Sequence, residues 1–228
     1  MPDKEHGTKW YDLAGKNNVA LAGGPAWRSD GLGFDGTDDA ASVPLDLSRY
    51  DKLTISFWLY SAFAVSMGME HSPNYNVVDG FIVYLDGAGT ITIGYTKTGG
   101  LYWVDSFPTP SASAWHHYTI TMDRANRENT VRVDGTLQTL TTVAHTATAG
   151  GNFGNLTLYI MSRAGSSLFG AGRLNDLRFY NRILSAAEAK TLSTDPLGVF
   201  NRVRMPVGRV AQSVLPLFRH HYVSQGIA

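Results

Sequence analysis

The chain has 228 residues, with 19 acidic and 19 basic side chains and no cysteine. The missing thiols exclude a disulfide framework, a thiolate metal site and a cysteine nucleophile, and they fit synthesis in a reducing compartment. No apolar run approaches the roughly 18 residues that cross a bilayer, and the charged opening Met1-Pro2-Asp3-Lys4-Glu5-His6 lacks a signal-peptide pattern, so no membrane partner is expected.

Charge is unevenly placed. Every acid precedes Pro196, whereas Arg202, Arg204, Arg209 and Arg219 follow it, so the body carries four acids in excess and the tail is basic. Four arginines are too few for a nucleic-acid surface. Two units are expected: a body over residues 1–195 and an arm over 196–228.

Within the body, Asp35-Gly36, Asp79-Gly80, Asp86-Gly87 and Asp134-Gly135 separate apolar runs. Asp-Gly supplies the positive φ angles of tight hairpin turns, which predicts an all-β antiparallel protein. Over residues 53–60 hydrophobicity alternates with period two. Leu53, Ile55, Phe57 and Leu59 fall on one face, with Thr54, Ser56, Trp58 and Tyr60 on the other, as in one sheet of a two-sheet sandwich. Residues 81–85 and 91–95 flank Asp86-Gly87 as a hairpin. Further strands are predicted over 115–123, 130–133, 156–160 and 173–180. Ser185-Ala186-Ala187-Glu188 is a capping box that opens one short helix, which Pro196 stops. The large aromatics Phe34, Phe57, Trp58 and Trp115 are expected in the core.

Five segments, in order, resemble the laminin-G-like, concanavalin A-like jelly rolls. They are Tyr11-Asp12-Leu13-Ala14-Gly15-Lys16-Asn17-Asn18, Gly33-Phe34-Asp35-Gly36-Thr37-Asp38-Asp39, residues 53–59, Trp115-His116-His117-Tyr118 with Val131-Arg132-Val133-Asp134-Gly135, and residues 172–188 around Asn175-Asp176-Leu177-Arg178-Phe179-Tyr180. The resemblance spans residues 8–194 and implies a two-sheet jelly-roll sandwich. It also implies a calcium site at a loop cluster, for which Asp12, Asn17 and Asp176 stand in family-like positions. Asn175 stands where the family carries the first acid of a pair, which lowers the charge available to that ion.

Catalytic machinery is not legible. Some relatives cleave glycans with Glu-x-Asp-x-x-Glu on one strand, but the four glutamates here, Glu5, Glu70, Glu128 and Glu188, have no Asp two residues on. No Gly-x-Ser-x-Gly elbow is present. His116 and His117 are adjacent on a strand, so they point to opposite faces and cannot share a metal. The expectation is a protein that is not an enzyme. Binding is the alternative chemistry: Tyr60, Tyr95, Tyr102 and Trp103 are candidate platforms for sugar rings, with loops 75–79 and 99–105 adding polar contacts.

Asp195-Pro196-Leu197-Gly198-Val199-Phe200-Asn201-Arg202 resembles the ending that follows such jelly rolls in many bacteriophage virion proteins. Beyond it, apolar residues lie irregularly around Pro206 and Pro216. The prolines forbid one long helix, so an extended arm is expected to add to a sheet or lie in a partner's groove. Its candidate assembly residues are Phe200, Arg202, Arg204, Arg209, Leu215, Phe218 and Tyr222, and its expected partners are other virion proteins or symmetry-related copies. The expected function is a structural or adhesive virion protein, made in the host cytoplasm and touching cell-surface glycan. A free-standing carbohydrate-binding module is the alternative.

Overall fold

The computed structural model describes residues 9–10, 17–72, 79–97, 101–146 and 151–194; the arm over 196–228 and Asp12 lie outside them. In chain order the described elements are β1 (Lys9–Trp10), β2 (Val19–Ala22), β3 (Ala26–Arg28), β4 (Gly31–Asp35), β5 (Ala40–Asp46), β6 (Lys52–Ser61), β7 (Ser66–His71) and β8 (Phe81–Leu85). They continue with β9 (Thr90–Lys97), β10 (Leu101–Pro108), β11 (Trp115–Asp123), β12 (Glu128–Val133), β13 (Thr136–Leu137), β14 (Thr141–His145), β15 (Asn155–Ile160), β16 (Ala171–Tyr180) and α1 (Ala186–Thr194).

The strands form two antiparallel sheets, as the sequence pattern predicts. One has nine strands in the order β1-β2-β5-β15-β7-β8-β9-β10-β14. The other has seven, in the order β13-β12-β11-β6-β16-β4-β3. Leu53, Ile55, Phe57 and Leu59 of β6 are buried between them, as period-two alternation requires. Phe57 stacks on Tyr118 at 5.1 Å between ring centroids, and Tyr118 meets Phe107 of the opposite sheet at 6.5 Å. Each such buried side chain contributes on the order of 2 kcal/mol. The void left between the sheets, lined by Phe57, Met69, Tyr118 and their neighbours, is about 10 Å³, too little for a ligand.

Two expectations change. Phe34 and Phe57 lie in the core, but Trp58 and Trp115 are half-buried on the outer face of the seven-stranded sheet. Of the four Asp-Gly pairs, Asp86-Gly87 and Asp134-Gly135 close hairpins, β8 to β9 and β12 to β13. Asp35-Gly36 instead opens the crossing from the seven-stranded to the nine-stranded sheet. Asp79 precedes β8 and holds the buried Arg124 at 2.7 Å.

Strand β16 carries a bulge. Asn175 pairs with Trp58 and Arg178 with Ser56, so β16 spends one residue more than β6 over this step. Asp176 takes the left-handed conformation there, with φ 50°. The extra residue re-phases the strand, so that Leu174 before it and Leu177 and Phe179 after it all point inward. Arg178 is thereby turned to the outer face, where it is almost wholly buried and donates from Nε and Nη2 to the two carboxylate oxygens of Asp176.

The helix covers this end of the outer face. Tyr180, Leu184 and Leu192 pack together, and Thr54 Oγ1 donates to the carbonyl of Arg182 at 2.6 Å while accepting the Leu184 N–H at 3.1 Å. The predicted capping box forms. The Ser185 N–H donates to Glu188 Oε2 at 2.8 Å, and the Glu188 N–H donates to Ser185 Oγ at 3.3 Å. The Arg182 guanidinium, with these Ser185 bonds, holds the Glu188 carboxyl down to about 2.

Two expected outcomes follow from this packing, both read by chemical denaturation. Ser185→Ala loses an N-cap, costing about 1 kcal/mol. Asp176→Ala leaves Arg178 buried without its partner, costing about 3 kcal/mol or more. Equal effects from the two variants would contradict the buried pair.

A third expected outcome concerns pH. His71 stacks on Phe81 in the core, and its Nε2 lies 2.8 Å from the Leu45 carbonyl. His117 is buried beside Ser56 Oγ at 2.9 Å and the Trp58 ring. Burial lowers both imidazoles to about 4, and for His117 the Arg178 charge adds to the effect. The unfolded chain therefore binds protons before the folded one does. The stability these groups confer is complete above pH 6.5 and is lost as pH falls toward 4. The loss is about 1.4 kcal/mol per pH unit for each histidine. His117→Gln is expected to flatten the slope of stability against pH in that window; an unchanged slope would contradict a neutral buried His117.

Candidate functional site

The outer face of the seven-stranded sheet is divided in two. Toward Thr54 and Tyr180 it is buried under the segment that leads into α1. Toward Tyr60 it is open. Across the open end one row of register partners runs from strand to strand: Trp115 beside Tyr60, Tyr60 beside Arg173, Arg173 beside Gly33, and Gly33 beside Ala26. Register partners share a face.

These side chains order one another. The Arg173 guanidinium lies over the Tyr60 ring at 4.0 Å from its centroid and 5.6 Å from the Trp115 ring. Tyr60 and Trp115 meet at 5.8 Å. Cation–π contacts of this kind contribute roughly 0.5–1 kcal/mol when partly exposed. Arg173 also pairs with Asp30, while Asn175 Nδ2 donates to the Asp30 carbonyl at 3.1 Å. Arg28 lies flat on Gly33: a Cβ at residue 33 would come within 2.8 Å of its Nε. At Gly172 the backbone itself is close, and a Cβ there would lie 2.3 Å from the Tyr60 carbonyl oxygen at a φ of +156°.

Between these groups opens a cleft of about 330 Å³, lined by Arg28, Gly33, Tyr60 and Arg173 together with Asp35 and Asp39. The carboxylates of Asp35, Asp38 and Asp39 lie within 4.8 Å of one another. Backbone donors hold them: Asp39 Oδ2 accepts the Asp35 N–H at 2.8 Å, and Asp35 Oδ1 accepts the Thr37 N–H at 2.7 Å. Burial pushes the Asp39 carboxyl up, and the charges of Asp35 and Asp38 add to it.

Of the predicted platforms, Tyr60 belongs to this site. Tyr95 is a correction. It is 2% exposed, packs edge-on against Phe153, and sits in the core on the inner face of β9. Trp103 is the register partner of Tyr95, half-buried on that same side and stacked on His145 at 3.6 Å. Tyr102 is placed in β10, but its side chain lies outside the description. The expected platforms therefore do not assemble, because Tyr60 and Trp103 stand on different sheets. The residues that the sequence reading missed are Arg28, Arg173 and the Asp35–Asp39 loop, which it took for a turn alone.

The implied calcium set does not fit the residues described. Asp176 has both carboxylate oxygens bound by the Arg178 guanidinium, a cation already in place, so it offers no free oxygen to a metal. Asn17 lies just before β2, half-buried, and Asp12 is outside the described residues.

One further constellation is aligned like a hydrolytic triad. Ser111 Oγ lies 2.9 Å from His116 Nε2, and His116 Nδ1 lies 2.7 Å from Asp134 Oδ2. However, Nε2 is also 3.1 Å from the Ser111 carbonyl, which can only accept. The Asp134 carboxylate meanwhile accepts the His117 N–H at 2.8 Å. The trio clamps the loop before β11 to the β12–β13 turn.

Two antiparallel sheets with a polar, aromatic cleft on one outer face define a lectin-like jelly roll. Residues 35–190 match the family described as the concanavalin A-like lectin/glucanases superfamily, and the chain belongs to it, in agreement with the sequence motifs. No curated protein matches the sequence. Among solved structures, the receptor binding domain of botulinum neurotoxin D superposes with a TM-score of 0.64 at 12% identity, over 80% of this chain and 48% of that one. The receptor binding domain of botulinum neurotoxin type G gives 0.60 at 13%, over 78% and 46%. The chain thus spans about half the length of these structures, and at such identity the likeness is one of fold.

The two glycines predict costs of different size in thermal denaturation. Gly172→Ala drives a Cβ into backbone and is expected to cost several kcal/mol, on the order of 3. Gly33→Ala meets a flexible arginine and is expected to cost under about 1 kcal/mol. Comparable melting temperatures would contradict the placement of β16 against β6.

Proposed function

We propose that this chain is a non-catalytic adhesive protein that binds glycan in the cleft beside Tyr60 and is displayed on a virion through residues 196–228. The observation that carries the binding role is the cleft itself. It combines the half-buried Tyr60 ring with a fixed guanidinium, a second arginine and two carboxylates, on the open half of a lectin-like sheet. Sugars present both an apolar ring face and a fringe of hydroxyl groups, and such a surface meets both. Its volume is at the lower end of small-molecule sites, which run from roughly 300 to 1,000 Å³.

The carboxylates support binding without hydrolysis. Glu70 is fully buried against Arg163, Glu188 is committed to the helix cap and Arg182, and Glu128 stands exposed at the start of β12. The acids at the cleft crowd within 4.8 Å. Glycoside hydrolysis uses pairs roughly 5 to 9.5 Å apart, on opposite sides of the bond that breaks. The virion role rests on the sequence of residues 196–228, which is basic, apolar and interrupted by Pro206 and Pro216.

The test is a glycan array followed by calorimetry on the full chain. Binding without release of sugar products is expected, and Tyr60→Ala should weaken it at least about tenfold, as loss of a stacking platform does. No glycan bound, or an unchanged affinity in Tyr60→Ala, would sink the cleft assignment. In the same full chain, Phe200→Asp with Phe218→Asp should leave glycan binding intact and prevent incorporation into particles; normal incorporation would remove the assembly role.

A further inference from the structure

Resting on the assignment of the cleft to glycan, we infer that it selects uncharged sugars and rejects those bearing a carboxylate, such as sialic and uronic acids. The argument is the balance of charge at the cleft. Two guanidinium groups face it, Arg28 and Arg173, but Arg173 is already paired with Asp30 and stacked on Tyr60. Arg28 remains; among the described residues no carboxylate lies within ion-pair distance of it, and it is exposed. Against it stand Asp35 and Asp39, which line the same cleft, with the Asp38 carboxylate within 4.8 Å of both. A ligand carboxylate placed to reach Arg28 would come close to a cluster of three negative groups. In a partly desolvated cleft such an approach is strongly disfavoured.

Hydroxyl groups suit the same carboxylates. Asp35 uses Oδ1 for the Thr37 N–H, and Asp39 uses Oδ2 for the Asp35 N–H, which leaves one oxygen of each to accept. Asp39 Oδ1 lies 3.9 Å from where a Cβ at Gly24, another residue lining the cleft, would stand. Arg28 supplies donors to the same cleft and, as a guanidinium, accepts nothing. Two hydroxyls on adjacent ring carbons can donate to the carboxylates and accept from Arg28 at once. A cleft of about 330 Å³ has room for a terminal sugar or a disaccharide rather than a long chain segment.

The experiment uses the full chain and matched ligands. The best uncharged sugar from the array is compared by calorimetry, at low salt, with its counterpart carrying a carboxylate in place of the primary alcohol, and with its sialylated form. The acidic members are expected to bind at least about tenfold more weakly. Asp38→Asn, which removes one charge beside the cleft, should narrow that ratio about threefold. Acidic sugars that bind as well as neutral ones, with Tyr60→Ala still abolishing binding, would overturn the selectivity and leave the glycan site standing. So would a ratio that Asp38→Asn does not move. If no sugar binds, or if Tyr60→Ala changes nothing, the site and its selectivity fall together.

Discussion

The bulge at Asp176 is the constraint on which the functional half of this molecule depends. Strand β16 lies between β6 and β4, and its two ends have different tasks. Its first residues carry Gly172 and Arg173 into the cleft, and its last carry Tyr180 to the helix. Without the extra residue, alternation would send Leu177 and Phe179 to the outer face and bury Arg178 between the sheets. The left-handed turn at Asp176 avoids this, and the same residue supplies the carboxylate that compensates the arginine it has turned outward. A charged pair buried in this way adds little to net stability but is costly to break. Its effect is to fix the phase of β16, and hence the side of the sheet on which Arg173 stands.

From that phase the cleft follows by local packing. Arg173 lies over Tyr60, where Gly172 brings β16 tight against the β6 backbone. Trp115 flanks the pair, and Gly33 leaves the neighbouring strand bare enough for Arg28 to lie along it. The aromatic rings are thus held by charged groups rather than by apolar neighbours. They stay half-buried on the outer face, while Phe57 and Tyr118, three positions along the same strands, point inward and are buried.

The sandwich was legible in the sequence because its strands obey period two wherever a single face is buried. Residues 53–60 show both faces, and the capping box at Ser185 shows the helix. The pattern even contained the signal against Tyr95 as a platform, since Ile91, Ile93 and Tyr95 fall on one face and the isoleucines belong to the core. Strand β7 was not legible: all of its residues are buried, and it bulges between Met67 and Met69, so no alternation survives. The outer face of β6 was legible as polar, but not as divided into a covered and an open half. That division depends on α1, some 130 residues away in the chain, returning over Thr54. The cleft was out of reach for a similar reason. It brings together a segment near residue 30, the end of β6 and the start of β16, and no spacing rule links them. The turn motif around Asp35 was read for its backbone, whereas its side chains form a wall.

Membership of a lectin-like family does not by itself assign a ligand, because one fold carries many functions. The toxin domains superpose on this chain at 12–13% identity, too low for any side chain of the cleft to be carried across. The physical character of the cleft says more. Its Tyr60 ring is partly covered by Arg173, and its volume of about 330 Å³ admits little of a polysaccharide. Sites of this kind bury modest apolar area and exchange hydrated hydroxyl groups for protein contacts of nearly equal strength, so each one binds weakly. Adhesion through such a site requires many copies acting together. Linking binding modules can raise avidity roughly 10²- to 10⁴-fold without any new contact in the cleft. A body that recognises sugar weakly and a separate segment that gathers copies are therefore complementary parts of one proposed design. The acidic body and the basic stretch after Pro196 give that proposed division of labour an electrostatic expression.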